Sequence, residues 1–133
     1  MLVIDDKEFE ITESEIKVGG LTVIGDKGYD ITIGLKFSYN EKSGYLHLDA
    51  GFEKNNDIKT FVNREYVGIP FENDNQYMYF EIFDTEKFLD TQIESEITLK
   101  ISEIFDNKVR VTFELNDEFI KVKYDGYMEI RYE

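Results

Sequence analysis

The chain has 133 residues, 41% of them hydrophobic and 33% charged, with 29 Asp and Glu against 15 Lys and Arg and a formal net charge of -14. One domain of this length can bury a self-sufficient core, and with no cysteine, no tryptophan and a single histidine a disulfide scaffold, a Cys/His zinc site and thiol chemistry are excluded. Eleven Phe and nine Tyr oppose a disordered chain. The first residues lack the basic and apolar regions of a secretory leader and no apolar run is long enough to span a bilayer, so a soluble cytoplasmic protein is expected.

The hydrophobic period is two almost throughout. Short strand signals at 8–12, 15–18 and 21–24 are separated by breaks at Gly19-Gly20 and Gly25-Asp26. Over 29–39 the odd positions read Tyr29, Ile31, Ile33, Leu35, Phe37 and Tyr39 and the even ones are mostly polar, which predicts a long half-buried strand. Leu46, Leu48, Ala50 and Phe52 share a face with it if 40–43 form a four-residue turn, opposing Leu35 to Leu48 and Ile33 to Ala50. A weaker strand at 61–69 ends before Pro70. Met78, Phe80 and Ile82 then lie on one face of another strand, and Asp84 is an N-cap candidate for a short helix near 85–91.

The last third reads as a four-stranded meander. A two-residue turn at Asn116-Asp117 opposes Phe113 to Ile120, Val111 to Val122 and Val109 to Tyr124. Turns at 106–108 and 125–127, each with one extra residue or an equivalent bulge, oppose Ile101 to Phe113, Leu99 to Leu115, Val122 to Ile130 and Tyr124 to Met128. The expected fold is all-β, an antiparallel sandwich or closed barrel of about eight to ten strands with that meander and one short helix. In length and strand content alone it resembles the small intracellular lipid-binding barrels, whose helical pair after the first strand has no counterpart in 13–28.

No catalytic motif emerges. His47 lies beside Lys36 on the face opposite Leu46 and Leu48, with no nucleophile elbow to serve, and reads as a surface histidine. Asp and Asn gather at 26–30, 55–57, 73–75, 106–107 and 116–117, but none matches a calcium loop and turns select these residues anyway. No metal or cofactor is expected. Tyr77 and Tyr79 share a face and form an alternative small-ligand or carbohydrate platform, for which cross-strand packing is the plainer account.

Charge is the distinctive property. Residues 1–15 hold six acids and one lysine, and residues 72–96 hold eight acids and one lysine. If they adjoin, Asp5, Asp6, Glu8 and Glu10 join Glu72, Asp74, Glu81, Asp84, Glu86, Asp90, Glu94 and Glu96 in one field that steers a basic protein partner. The meander's outer face carries Lys100, Arg110, Lys121, Lys123 and Arg131, and the expected register sets Arg110 against Lys123 and Lys121 against Arg131. Nucleic acid is a poor partner for so acidic a chain. The leading expectation is therefore a non-catalytic protein-binding domain of immunity-protein, inhibitor or nucleic-acid-mimic type, ahead of a ligand-binding barrel or sandwich and of an enzyme using Asp or Glu.

Overall fold

The strand patterning folds into nine strands in a computed structural model, which describes residues 1–23, 25–39, 41–51, 61–68, 77–84, 97–118 and 120–132. They are β1 Leu2–Ile4, β2 Lys7–Val23, β3 Asp26–Tyr39, β4 Lys42–Gly51, β5 Arg64–Gly68, β6 Tyr77–Asp84, β7 Ile97–Phe105, β8 Lys108–Asn116 and β9 Lys121–Tyr132. All form one sheet in the order β5-β7-β8-β9-β1-β2-β3-β4-β6, with β9 also pairing β2. The protein is all-β among the described residues, and the helix expected near 85–91 lies outside them. No helix among the described residues is long and apolar enough to cross a membrane.

The sheet curls into a half-barrel, because its concave side is apolar throughout and must cover itself. Leu2, Ile16, Val18, Ile31, Ile33, Leu46, Leu48, Leu99, Val111, Phe113, Val122 and Ile130 are all buried there. Curling brings Tyr66 of the edge strand β5 onto Tyr29 of β3, six places away in the sheet order. Their rings meet edge to face at 6.3 Å, their hydroxyls hydrogen-bond at 2.8 Å, and Tyr66 Oη also donates to the Phe61 carbonyl at 2.8 Å. Both side chains are fully buried, so the bonds satisfy hydroxyls that would otherwise be stranded in the core. Among the described residues no ladder joins β5 to β6, the two ends of the sheet.

The first three weak signals are one strand, not three. β2 pairs continuously with β3 across Gly19 and Gly20, with a single irregularity between Ile11 and Glu13. Thr12 is the extra residue, a bulge whose hydroxyl reaches the Lys36 carbonyl at 3.3 Å. One inserted residue inverts side-chain parity. That is why the apolar set passes from Phe9 and Ile11 to Ile16 and Val18 without leaving the concave side.

Registers differ from expectation by whole pleats. Leu35 opposes Leu46 and Ile33 opposes Leu48, with Tyr39 paired to Lys42 so that two residues, not four, make the turn. Such tight turns suit the strand twist but need positive φ, which Glu41 adopts at 66°. Asp5 and Asp6 (48° and 65°) and Asp106 and Asn107 (46° and 63°) do the same between β1 and β2 and between β7 and β8. The extra residue expected at 106–108 lies in β7, as a bulge between Ser102 and Phe105, so Leu99 opposes Phe113 and Ile101 opposes Val111.

The β8–β9 connection is longer than the two-residue turn expected. Asn116 pairs with Lys121, and the Asp117 amide closes the loop on the Ile120 carbonyl at 3.0 Å. Phe113 therefore stacks on Tyr124 at 5.2 Å instead of meeting Ile120. The turn expected at 125–127 is absent: β9 runs straight through, making the meander three strands, and continues in parallel beside β2 from Ile130. Gly126 has another use. A Cβ there would lie 2.5 Å from Tyr124 Oη, so the missing side chain is the space that the Tyr124 phenol occupies.

Candidate functional site

Alternation sends every second residue to the convex side, and there the ladders align rows of residues across β2, β3, β4 and β6. Glu13, Lys36, Tyr45 and Phe83 occupy one row; Glu15, Gly34, His47 and Glu81 the next; Lys17, Thr32, Asp49 and Tyr79 the third. Lys36 Nζ lies 3.0 Å from Glu13, and this hydrogen bond, then the carboxylate's charge, holds the ammonium above the ordinary lysine value. Glu15 forms ion pairs with Arg131 at 3.5 Å and with Lys17 at 3.6 Å. A cleft of about 240 Å³ opens between these pairs, lined by Glu13, Glu15, Gly34, Lys36, Tyr45 and Arg131. Its floor exists because Gly34 lacks a side chain: a Cβ there would stand 3.2 Å from Tyr45 Oη.

Along β4, Tyr45, His47 and Asp49 point the same way. His47 Nε2 lies 2.9 Å from Asp49 Oδ2, and Nδ1 lies 3.4 Å from Tyr45 Oη. A carboxylate only accepts, so Nε2 donates to Asp49, and in the neutral ring Tyr45 Oη is the donor to Nδ1. The imidazole is about a quarter exposed. Sequence reasoning placed His47 beside Lys36; the β3–β4 register instead puts Gly34 opposite it. Among the described residues no three His, Asp or Glu side chains form a metal-binding group.

The acids occupy a different place. Asp5 and Asp6 make the β1–β2 turn, where Asp5 Oδ1 accepts the Lys121 amide at 2.9 Å and its own amide donates to the Lys121 carbonyl at 2.9 Å. Glu8 and Glu10 follow on β2, exposed on the convex side, and the Thr12 bulge keeps Glu13 and Glu15 on that same side. The β3–β4 turn with Glu41 and the β8–β9 loop with Glu118 end at this rim of the half-barrel, both acids exposed.

Of the second acidic segment, Asp84 ends β6 opposite Gly44 at the same rim and Glu81 lies opposite His47. β3 and β4 intervene between β2 and β6, which sets them roughly 14 Å apart along the sheet. Glu72, Asp74, Glu86, Asp90, Glu94 and Glu96 lie outside the described residues. Tyr77 and Tyr79 take β6 positions opposite Gly51 and Asp49.

On the β7–β8–β9 side the corrected registers change who meets whom. Lys123 opposes Glu114, Lys108 opposes Glu129 and Lys100 opposes Glu65. Arg110 grips Asp125 with two bonds of 3.0 and 2.9 Å, which, with the guanidinium's charge, holds the Asp125 carboxyl below the ordinary carboxylate value. The expected like-charge pairs Arg110/Lys123 and Lys121/Arg131 do not form. No family model matches the chain, and the searches of curated proteins and of solved structures found no match.

Proposed function

We propose that this is a non-catalytic, cytoplasmic binding domain whose acidic rim engages a basic protein, as an immunity protein, inhibitor or nucleic-acid mimic does. One observation carries the reading. Separate parts of the chain deliver Asp5, Asp6, Glu8, Glu10, Glu41 and Glu118 to one end of the sheet, all exposed, with Lys7 and Lys121 interspersed. Convergent like charge raises the encounter rate of an opposite partner and weakens with salt. It costs folding little, since exposed charges at a rim are well solvated.

Capture of partners by the intact chain at low and high salt, followed by association kinetics, tests this. A basic polypeptide should bind at low salt and be lost at high salt, and D6N/E8Q/E10Q/E41Q together should slow association more than they speed dissociation. An acidic or small partner, or an on-rate indifferent to salt and to those changes, overturns the reading.

The runner-up is a ligand-binding barrel or sandwich. The cleft beside Tyr45, and the Tyr77 and Tyr79 positions on the same sheet side, favour a small polar molecule or carbohydrate. Closure into a barrel would then rest on side chains, as in the Tyr29–Tyr66 contact, instead of a ladder.

A further inference from the structure

We propose that the end of the half-barrel away from the acidic rim is a self-association surface, on which a second copy of the chain docks across a two-fold axis. This goes beyond the rim reading and does not rest on it. Five large apolar side chains are more than half exposed among the described residues, and four of them gather here: Ile104, Phe105, Tyr127 and Tyr132. Ile104 and Phe105 close β7 at its turn into β8, and Tyr132 ends β9. Phe105 opposes Lys108, which opposes Glu129; Ser102, Arg110 and Tyr127 form the next row, about 7 Å further in. Clustered apolar surface marks interaction sites, and aromatic anchors supply much of the energy at them.

The backbone presents this cluster. The alternation that buries Ile97, Leu99 and Ile101 would carry Phe105 to the same concave side, but the bulge between Ser102 and Phe105 inverts parity and turns the ring out, 71% exposed. The turn beside it is clamped: Asp106 and Asn107 hold positive φ, the Asn107 carbonyl accepts the Ile130 amide at 2.9 Å, and Asn107 Nδ2 donates to the Ile130 carbonyl at 3.2 Å. A ring so held loses little freedom on docking.

Charge selects the occupant. The exposed charged residues around the rings, Asp106, Lys108, Glu129 and Arg131, balance, whereas the whole chain carries -14. A two-fold contact sets a patch against itself, so Asp106 of each copy can meet Lys108 of the other. The acidic rims then point away from one another, each roughly 35 to 40 Å from the contact along the 12 residues of β9, far beyond the ~8 Å over which exposed charge acts at physiological salt. A basic partner would be drawn to the rim instead.

Sedimentation equilibrium on the intact chain, over a range of concentration and salt, tests this. A reversible dimer should form and should hold or tighten as salt rises, because screening relieves the repulsion between two acidic chains and leaves the apolar contact in place. F105E and, separately, I104E should weaken the dimer by about tenfold or more, and F105S, which adds no charge, should weaken it to a smaller degree. D6N/E8Q/E10Q/E41Q, at the rim, should not weaken it. Thermal melts check that the variants, all at exposed positions, remain folded. A chain that stays monomeric at every concentration, a dimer that survives F105E, one that dissociates as salt rises, or one lost with the rim acids overturns the proposal.

Discussion

The two sides of the sheet are held by different physics. On the concave side stability comes from area: Ile31, Ile33, Leu46, Leu48, Leu99 and Val111 are fully buried, and each contributes on the order of 1.5 to 3 kcal/mol. On the convex side the contacts are ion pairs between exposed groups, such as Lys36 with Glu13 and Arg131 with Glu15, which solvent screens and which add little to stability. The fold can therefore lose or change most convex residues and persist. A sheet so built has one side committed to folding and another whose residues packing does not dictate.

Phe113 should show the contrast most strongly. Phe113→Ala empties a buried site and unstacks Tyr124, with an expected loss of about 3 to 5 kcal/mol, whereas Thr112→Ala, next in sequence but on the convex side, should cost on the order of 0.5 kcal/mol. Urea melts giving equal losses would show that the sides are not distinct.

Adding an atom sharpens the same comparison. Gly126→Ala drives a methyl into Tyr124 Oη, and the stacked ring cannot swing aside freely, so a loss of about 1 to 3 kcal/mol is expected. Gly34→Ala, pressing on the more exposed Tyr45, should cost less than half as much in the same melt.

Tyr66→Phe removes only an oxygen, yet it takes the donor from the buried Phe61 carbonyl and a bonding partner from Tyr29. A fall of about 1 to 2 kcal/mol in denaturant-measured stability is expected. A neutral result would mean that water reaches this seam.

The smallest effect belongs to Arg110 and Asp125. Because the folded state lowers the Asp125 pKa, its contribution is present above the unfolded value near pH 3.9 and is lost as pH falls through the folded one. Arg110→Ala should remove that acid-side slope and change neutral-pH stability by under about 1 kcal/mol. Tyr124 is the concave counterpart. Burial, with the Asp125 charge adding to it, pushes its phenol up to about 12, so its contribution is complete below about pH 10 and lost as pH rises toward 12. An alkaline absorbance titration separates it from exposed tyrosines.

Side assignment was legible in the sequence, register was not. Period two places Leu35, Leu48, Val111 and Phe113 on the core side, and a slip of two residues leaves each still facing an apolar residue, so the concave pattern cannot choose among slips. On the convex side a β8–β9 register four residues from the expected one sets Arg110 opposite Tyr127, within reach of Asp125, instead of opposite Lys123. Turn geometry makes the choice, through residues such as Asp6 and Asn107 that tolerate positive φ. The expected turn at 125–127 misled for a physical reason: Gly126 accommodates a neighbouring ring instead of a bend. His47 was read as a lone surface residue, and its bond to Asp49 was not singled out in the sequence.

β1 has a consequence for how the protein comes to be made. Its three residues pair with β2 on one side and β9 on the other, and Met1 and Asp125 exchange bonds across 124 positions of chain. The β2–β3–β4 and β7–β8–β9 groups each close locally, within reach of short turns, but among the described residues the ladders joining them all involve β9. On the ribosome the β2 side of the sheet must wait, its outer hydrogen-bonding groups uncovered, until β9 has emerged. Closure of the two halves is thus a late, long-range step, and during that wait the nascent β2 is the stretch most in need of a chaperone.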